Sequence, residues 1–264
     1  MKKLILILVW INLFLFWFIL DLFSKESLVV FLNVGQGSSV LIYNPKLQIL
    51  YDTGPFGFKI ISELNKFLPF YDKTIDLVII SHADKDHFGG TFSILDRFKV
   101  RLVIISPYIS EESSYLELLN KIKNLKIPII TLGDKDRIET TYEKIFVLNP
   151  EIGKFNSDNE NSIVLKVYKN SKTFLLTGDI DQKVEKYLIE KYGNFLKSDY
   201  LLIPHHGSKY SSSLAFLSLT GNIYSIIQVG KNRYGHPHKE TIERLKLLNK
   251  KYWRTDLNGT LIVK

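Results

Sequence analysis

The sequence predicts an α/β protein in which two β-sheets pack together, helices cover their outer faces, and one apolar helix precedes them. The first observation is that strands followed by strand–helix units occur twice along the chain. The second is that residues 28–264 contain no Pro/Gly/Ser-rich linker, so they fit one domain. The third is the apolar run Leu4–Leu20, which only Asn12 interrupts.

The composition is that of a folded, basic protein. Its 264 residues include 35 Lys and Arg against 27 Asp and Glu, a net charge of +8, and 45% are apolar. This content excludes an acidic or intrinsically disordered chain, and the positive excess is compatible with nucleic acid, anionic lipid or cell-wall polymer as a partner. Cysteine is absent, which excludes disulfides, thiolate metal ligands and thiol catalysis.

The N-terminal segment has the pattern of a membrane anchor. As a helix, Leu4–Leu20 would rise about 26 Å, at the short end of what a bilayer core of about 30 Å requires. A cleaved signal peptide is the rival interpretation, but Asp21–Ser27 contains no small-x-small cleavage site. We therefore expect an anchor over residues 1–23 and a domain over residues 24–264. Lys2 and Lys3 predict a single-pass protein of the cell membrane whose domain is extracytoplasmic.

Short apolar runs and turn signals predict the elements of the first half. The β-branched run Ile75–Ile80 indicates a strand that is buried on both faces. Apolar residues on one face predict a helix over Glu111–Leu125, with Ser110 as its N-cap. Earlier strands are predicted at Leu28–Leu32, Ser39–Tyr43 and Leu47–Tyr51.

The second half repeats this pattern. Apolar residues four apart predict a helix that includes Ile180, Val184, Leu188 and Tyr192. A later helix is predicted around Ile242, Leu245 and Leu248. The strands expected here are Ser162–Tyr168, Thr173–Leu176, Leu201–Ile203, Tyr224–Val229 and Thr260–Val263.

A dense cluster of metal-capable side chains follows the fourth predicted strand. Such groups are costly at the end of a buried strand unless something neutralises them, and a divalent cation accepts imidazole and carboxylate ligands together. The sequence therefore predicts a metal centre, with the first two members facing one ion and the last two a second. The members are, in order, His82, Asp84, Asp86 and His87.

Other strand ends carry side chains of the same kind. Asp179 follows strand Phe174–Leu176; alone it would be an N-cap, but beside the cluster it becomes a carboxylate that bridges two ions. Of the adjacent His205 and His206, one would bind a metal and the other would contact the substrate, and the sequence does not distinguish them. The loop Asn232–His238 carries a weaker signal, because polar loops are commonly surface turns.

Five segments, taken in order, carry a family resemblance. The run HADKDHFGG resembles the H-x-[HD]-x-D-H signature of the metallo-β-lactamase superfamily. The full set resembles the C-terminal hydrolase domain of ComEC-type DNA-internalisation competence proteins and covers residues 28–264. The segments are Phe31–Ile42 (FLNVGQGSSVLI), His82–Gly90 (HADKDHFGG), Leu175–Ile180 (LLTGDI), Ile203–Ser208 (IPHHGS) and Asn232–His238 (NRYGHPH), with RTDLNGT near the end.

This resemblance implies a four-layer αββα metallo-β-lactamase sandwich and a membrane-anchored two-metal hydrolase that cleaves nucleic-acid phosphodiesters, DNA above all. The acid at position 84 is shared with the ComEC-type proteins and makes two Zn²⁺ or Mn²⁺ ions the expected cofactors. The expected metal ligands are His82, Asp84, Asp86, His87, Asp179, His205 and His206. Catalytic roles are expected for Asp86, His206, His236 and His238, and substrate contacts for Ser208, Lys209 and Tyr234.

Departures from the family pattern leave alternatives open. Asn33 and Ser38 stand where the family's DVGQGD motif has aspartates. The family also carries a multi-spanning channel before this domain, so we expect a separate channel subunit as a partner of this chain. One alternative is an extracytoplasmic metallo-hydrolase of another substrate, such as a cell-wall phosphodiester. Another is a non-catalytic nucleic-acid-binding module with a degraded metal site, which the two substitutions motivate.

Overall fold

The computed structural model describes residues 2–24 and 26–264, so Met1 of the predicted anchor lies outside the described residues. The strands are β1 (Leu28–Phe31), β2 (Val40–Asn44), β3 (Leu47–Tyr51), β4 (Thr74–Ile80), β5 (Lys99–Ile105), β6 (Ile129–Thr131), β7 (Arg137–Glu139), β8 (Lys144–Asn149), β9 (Val164–Lys169), β10 (Lys172–Leu176), β11 (Tyr200–Leu202), β12 (Tyr224–Ile227), β13 (Lys251–Arg254) and β14 (Leu261–Val263). The α-helices are α1 (Lys2–Ser24), α2 (Gly57–Leu64), α3 (Lys85–Phe88), α4 (Thr91–Arg97), α5 (Ser113–Asn124), α6 (Gln182–Tyr192), α7 (Leu214–Thr220), α8 (Lys239–Leu247) and α9 (Thr255–Asn258).

The strands form two seven-stranded sheets with the same internal plan. The order is β14-β1-β2-β3-β4-β5-β6 in the first sheet and β13-β12-β11-β10-β9-β8-β7 in the second. Strands β3 to β6 run parallel, as do β10 to β13, while the other half of each sheet is antiparallel. Parallel neighbours need a crossover, which a helix supplies. The predicted duplication of strand–helix units is therefore confirmed.

Three apolar layers separate the sheets and helices. The alternation of side chains along a strand explains them, since Val78 and Ile80 of β4 pack under helices while Ile79 faces the other sheet. The layer between the sheets includes Phe31 of β1 and Phe174 of β10, whose ring centroids lie 6.3 Å apart. Helices α2, α4 and α5 cover the first sheet, and α6, α7 and α8 cover the second. This arrangement is the predicted αββα sandwich.

Helix α5 begins later than the sequence predicts. Its N-cap is Glu112, whose carboxylate accepts a hydrogen bond from the Tyr115 N–H at 2.6 Å. The predicted cap, Ser110, is wrong, because its hydroxyl donates to another acidic side chain instead. Glutamate therefore replaces the shorter polar side chains that usually satisfy the first free N–H groups of a helix.

Helix α6 also has its N-cap two residues later than the sequence suggests. Asp181 caps it by accepting hydrogen bonds from the second and third N–H groups of the helix. Asp179 lies two residues earlier and does not cap, so its buried carboxylate is available to other groups.

Two buried polar contacts connect parts of the chain that are distant in sequence. Gln228, after β12, donates its amide to the carbonyls of Leu32 and Ser39 and accepts from the Ser39 N–H. In β9, Lys169 pairs with Glu143, and both side chains are 1% exposed. Buried polar groups of this kind are costly to leave without partners.

Helix α1 exposes apolar side chains between Ile5 and Trp17. Trp10, Phe14 and Trp17 are 69%, 62% and 62% exposed, while Phe18 packs edge-on against the Tyr71 ring of the domain. Over residues 2–24 and 26–264, no helix combines the length and the apolar character that crossing a membrane requires. The predicted span stays a prediction.

Candidate metal centre

The polar side chains of the site follow neighbouring parallel strands. Asp52 comes directly after β3 and His82 two residues after β4, and these strands pair in the first sheet. In the second sheet, the segments after β10 and β11 carry Asp179 and His206. The carboxyl ends of parallel strands meet at one edge of a sheet, where loops gather ligand-binding groups. Because the two sheets face each other, the side chains from both sheets meet at the same edge of the sandwich.

Asp179 lies at the centre of this cluster of side chains. Its Oδ1 atom is 3.1 Å from His87 Nε2, and its Oδ2 atom is 3.4 Å from His206 Nε2. The same Oδ2 atom is 3.8 Å from His205 Nε2 and 4.0 Å from His82 Nε2. The Asp179 side chain is only 3% exposed. One carboxylate therefore faces four imidazoles that come from two separate segments.

The side chains form two overlapping groups of metal-capable atoms, each lying within 4.8 Å of one another. The first is His82, His87 and Asp179, and the second is Asp86, His87 and His206. The sequence suggested a different pairing, with Asp84 beside His82 in one group. Asp84 Oδ2 is 3.5 Å from His82 Nε2, and the Asp84 side chain is 45% exposed at the rim of the site.

Hydrogen bonds at the far side of two imidazoles fix their tautomers. His87 Nδ1 lies 2.8 Å from an Asp52 carboxylate oxygen, and His206 Nδ1 lies 2.9 Å from the Gln228 carbonyl oxygen. Carboxylate and carbonyl oxygens only accept, so in each neutral ring Nδ1 carries the proton and Nε2 presents a lone pair. These two Nε2 atoms are 3.3 Å apart. Without a metal, protons on these two nitrogens pair with Asp179 and Asp86, and a bound metal ion would take the place of those protons.

The third imidazole is held in the same manner. The Ser81 hydroxyl donates to Asp52 at 2.8 Å and lies 2.9 Å from His82 Nδ1, from which it can accept. His82 Nε2 is then a lone pair, and it is buried without a hydrogen-bond partner. Metal-binding histidines commonly have their other nitrogen engaged in this way. The donor set therefore fits divalent metal ions.

The charges of the cluster favour bound cations. Burial lowers the pKa of His206, but Asp179 and Asp86 outweigh it and raise that pKa to about 10. Burial also opposes the charge on His87, yet Asp179 and Asp52 hold its pKa well above the usual value. In turn, His206 and His87 overcome burial and keep the pKa of Asp179 well below its usual range. The carboxylates thus stay ionised at neutral pH and attract positive charge.

Sequence reasoning missed Asp52, which supports the whole arrangement. Its side chain is fully buried and accepts hydrogen bonds from the Ser81 N–H at 2.7 Å, the Ser81 hydroxyl and His87. It also has a left-handed backbone, with φ of 57°, a conformation that Asp and Asn adopt more readily than most residues. Its position directly after β3 is the feature of the sequence that could have identified it, because the other site residues also follow strands.

The turn after β11 distinguishes the two adjacent histidines. His205 and His206 both have left-handed backbones, with φ of 51° and 54°, followed by Gly207 at 84°. A Cβ atom on Gly207 would lie 2.6 Å from Pro237 Cβ, so glycine is required there. Strained residues of this kind persist where the surrounding structure holds them, often at functional sites. The turn buries His206 in the ligand group and leaves the His205 side chain 29% exposed at the rim.

A cavity of about 140 Å³ opens onto the cluster. His236 lies on its wall, and burial together with the neighbouring His206 and His205 lowers the His236 pKa to about 4, so this ring is neutral at pH 7. The His236 Nδ1 atom is buried without a hydrogen-bond partner. The cavity is lined by Gln36, Asp84, Asp86, Asp179, His205, His206, Tyr234 and His236.

Three residues expected at the substrate do not line this cavity. His238 Nδ1 accepts a hydrogen bond from the Lys209 N–H at 3.2 Å. The Ser208 hydroxyl accepts from the Tyr210 N–H at 3.3 Å, and Ser208 is 2% exposed. The His238 Nδ1 atom and the Ser208 hydroxyl are therefore engaged within the turn, whereas Lys209 contributes only its backbone N–H to these contacts.

The two departures from the family pattern lie on a loop that supports Asp86. The Ser38 N–H donates to the Asp86 carbonyl at 3.2 Å, while the Asn33 amide oxygen accepts from the Gly35 N–H. A Cβ atom on Gly37 would lie 2.2 Å from the Asp86 carbonyl oxygen, which makes glycine necessary at that position. This loop therefore packs directly against the segment that carries a candidate ligand.

The sandwich and its imidazole–carboxylate cluster define the class of protein. The profile of the metallo-beta-lactamase superfamily matches residues 32–248, and the chain belongs to that superfamily. Its curated relatives include ComE operon protein 3 of Bacillus subtilis (strain 168), which is 31% identical over 92% of this chain and 34% of the relative. Competence protein ComA of Neisseria gonorrhoeae is 30% identical over 90% of this chain and 32% of the relative.

These matches confirm the resemblance to competence proteins that the sequence motifs carry. The chain spans about a third of the length of these two relatives. Among solved structures, the metallo-beta-lactamase fold protein YhfI from Bacillus subtilis gives a TM-score of 0.60 at 13% identity, over 90% of this chain and 100% of that chain. At that identity the likeness concerns the fold.

Proposed function

We propose that this chain is a two-metal hydrolase that cleaves nucleic-acid phosphodiesters, most of all those of DNA. The observation that carries the proposal is the convergence of three buried imidazole Nε2 atoms, those of His82, His87 and His206, with the carboxylates of Asp86 and Asp179. When bound, the two metal ions would activate a water molecule and offset the negative charge of a phosphodiester under attack.

The chain's own residues would prepare the site before any substrate arrives. Asp52 and the Gln228 carbonyl hold His87 and His206 in one tautomer, so neither ring needs to reorient. The neutral His236 on the cavity wall offers a free ring nitrogen to a phosphate oxygen. Tyr234, which is 58% exposed at the mouth, would contact the substrate further out.

The charge of the chain suits any polyanionic phosphodiester, and the names of its relatives favour a nucleic acid among these. The net charge of +8 favours capture of a polyanion. The relatives reported above are named as competence proteins. The mixture of imidazole and carboxylate donors suits Zn²⁺ or Mn²⁺.

The proposal is tested with the full chain purified in detergent and supplied with Mn²⁺ or Zn²⁺. Hydrolysis of linear DNA is expected, and Asp86→Ala or Asp179→Ala should reduce it to background while Asp199→Asn, a partly buried carboxylate elsewhere, retains it. Hydrolysis of poly(glycerol phosphate) but not DNA would favour the cell-wall alternative. No hydrolysis together with fewer than one metal ion per chain would favour the non-catalytic alternative.

The membrane attachment is part of the same proposal. The exposed apolar side chains of α1, including Trp10 and Trp17, support insertion of this helix into lipid, and Lys2 and Lys3 before it favour the extracytoplasmic side for the domain. Extraction of cell membranes with alkaline carbonate should leave the chain in the pellet, and external protease should digest the domain in intact cells. A chain released by carbonate would contradict the anchor.

A further inference from the structure

A second hollow adjoins the metal cavity and is larger than it. It encloses about 530 Å³, against about 140 Å³ for the cavity. Gln36, Asp86 and Tyr234 line both spaces, so the hollow opens directly onto the candidate metal ligands. We call it the side groove. A molecule lying in the side groove would have one end at the metal centre.

The side groove is lined by cations without counterions. Lys59, Lys85 and Lys231 line it, and among residues 2–24 and 26–264 none of the three has a carboxylate within 4.0 Å. The one acidic side chain in the lining is Asp86, which belongs to a ligand group. Three unpaired ammonium groups around one hollow repel each other, and a polyanion would relieve that repulsion.

Exposed aromatic rings stand beside these lysines. Phe56 and Tyr234, which are 54% and 58% exposed, both line the side groove. Phe58 stacks against Phe56 with ring centroids 5.9 Å apart and planes inclined by 23°. Aromatic faces beside a positively charged groove are the combination that binds unpaired bases and their phosphates.

We propose that the side groove binds a single strand of nucleic acid and leads one of its phosphodiesters to the metal cavity, an inference that rests on the function proposed above. The phosphates would contact the lysines, and bases would stack on Phe56 and Tyr234. A duplex keeps its base faces stacked inside, so it could use the lysines but not the rings. Gln36 stands where groove and cavity join, and its buried Nε2 atom has no partner, so it can donate to a phosphate oxygen.

The first test measures binding without chemistry. A fluorescein-labelled oligothymidylate of twelve residues and a duplex of the same length are titrated with the full chain in detergent and EDTA, by fluorescence anisotropy. We expect tighter binding of the single strand, and Phe56→Ala should weaken it by about tenfold, as loss of one stacking platform predicts. Phe70→Ala, which removes an 80% exposed ring outside the groove lining, is the matched control. Equal affinity for both oligonucleotides, or equal effects of both variants, would overturn the proposal.

The second test uses salt. Each phosphate contact to a single strand contributes about 0.7 to the slope of log affinity against log salt. Lys59→Ala and Lys231→Ala should therefore each lower that slope by about 0.7, whereas Lys123→Ala, outside the groove lining, should leave it unchanged. An unchanged slope in both groove variants would rule out phosphate contacts there.

A third measurement separates this inference from the proposed function. Bis(p-nitrophenyl) phosphate is a small phosphodiester that reaches the metal cavity without filling the side groove. If wild-type chain hydrolyses it with Mn²⁺ but fails the two binding tests, the metal chemistry stands and the groove proposal fails. If the chain passes the binding tests but hydrolyses neither this compound nor DNA, the groove proposal stands and the hydrolase proposal fails.

Discussion

Replacement of Asp52 by Asn should weaken metal binding although Asp52 belongs to neither ligand group. Asn keeps the size of the side chain and tolerates the left-handed backbone at φ of 57°. It has one acceptor where aspartate accepts from the Ser81 N–H, the Ser81 hydroxyl and His87 Nδ1. If the Asn oxygen stays on the Ser81 N–H, its NH₂ meets the Nδ1–H of His87, donor against donor. His87 must then rotate or move its proton to Nε2, where it blocks the metal.

The size of the effect follows from the position of His87. Loss of a hydrogen-bond partner behind a metal-binding histidine typically costs about 10–100-fold in metal affinity, or roughly 1.4–2.8 kcal/mol. Since His87 Nε2 offers one lone pair, the ion that it binds should be held more weakly, whichever of the two groups that ion occupies. The control is Asp199→Asn, because Asp199 likewise accepts from an N–H and a hydroxyl, those of Thr173, at 2.7 and 2.9 Å.

The assay is competition for Zn²⁺ and Mn²⁺ against a chromophoric chelator, with metal content per chain measured by mass spectrometry and folding checked by circular dichroism. Asp199→Asn should bind metal as the wild type does. The reasoning is refuted if folded Asp52→Asn binds both metals with wild-type affinity, or if the two variants lose the same amount.

The remaining predictions concern stability and are measured as the free energy of unfolding in urea. Gln228→Leu leaves the buried Ser39 N–H without a partner and removes one of two hydrogen bonds from each of the Leu32 and Ser39 carbonyls, so it should destabilise by about 1–3 kcal/mol; a loss below about 0.5 kcal/mol would contradict this. Glu143→Gln leaves the buried Lys169 charge uncompensated and should cost about 3–5 kcal/mol, against less than about 0.5 kcal/mol for Glu190→Gln in an exposed pair. Burial raises the pKa of Glu185 to about 7 from 4.5, so the neutral form is favoured in the folded state. The resulting stabilisation is complete below pH 4.5 and is lost as pH rises through 7, a dependence that Glu185→Gln should remove.

The elements that the sequence predicted well are those whose pattern is local. Strand β4 was predicted as Ile75–Ile80 and is found at Thr74–Ile80, because a β-branched run buried on both faces has few alternatives. Its neighbour β5 (Lys99–Ile105) has a comparable run in Val103–Ile105, yet the sequence pattern does not predict it. Its first residues are mixed in polarity, and the pairing with β4 that defines it is a tertiary contact.

The sequence predicts those residues of the candidate site that follow a predicted strand and carry metal-binding groups. His82 and Asp86 could be selected from their motif, since several metal-capable groups stand close together there. The choice between His205 and His206 depends on backbone angles in a left-handed turn, which no local pattern specifies. Asp52 is alone in its segment, and its importance arises only when His87, distant in sequence, packs against it.

The overlap of the two ligand groups constrains how two ions can be held. A neutral imidazole offers one lone pair at Nε2, so His87 can bind only one ion at a time, although it belongs to both groups. The other site must then recruit a further donor. Asp84, 3.5 Å from His82 Nε2, and His205, 3.8 Å from Asp179 Oδ2, both stand at the rim for that purpose. Asp179 has two oxygens and can face both ions at once, which is why its burial at the centre, rather than any single histidine, makes a two-metal site physically reasonable.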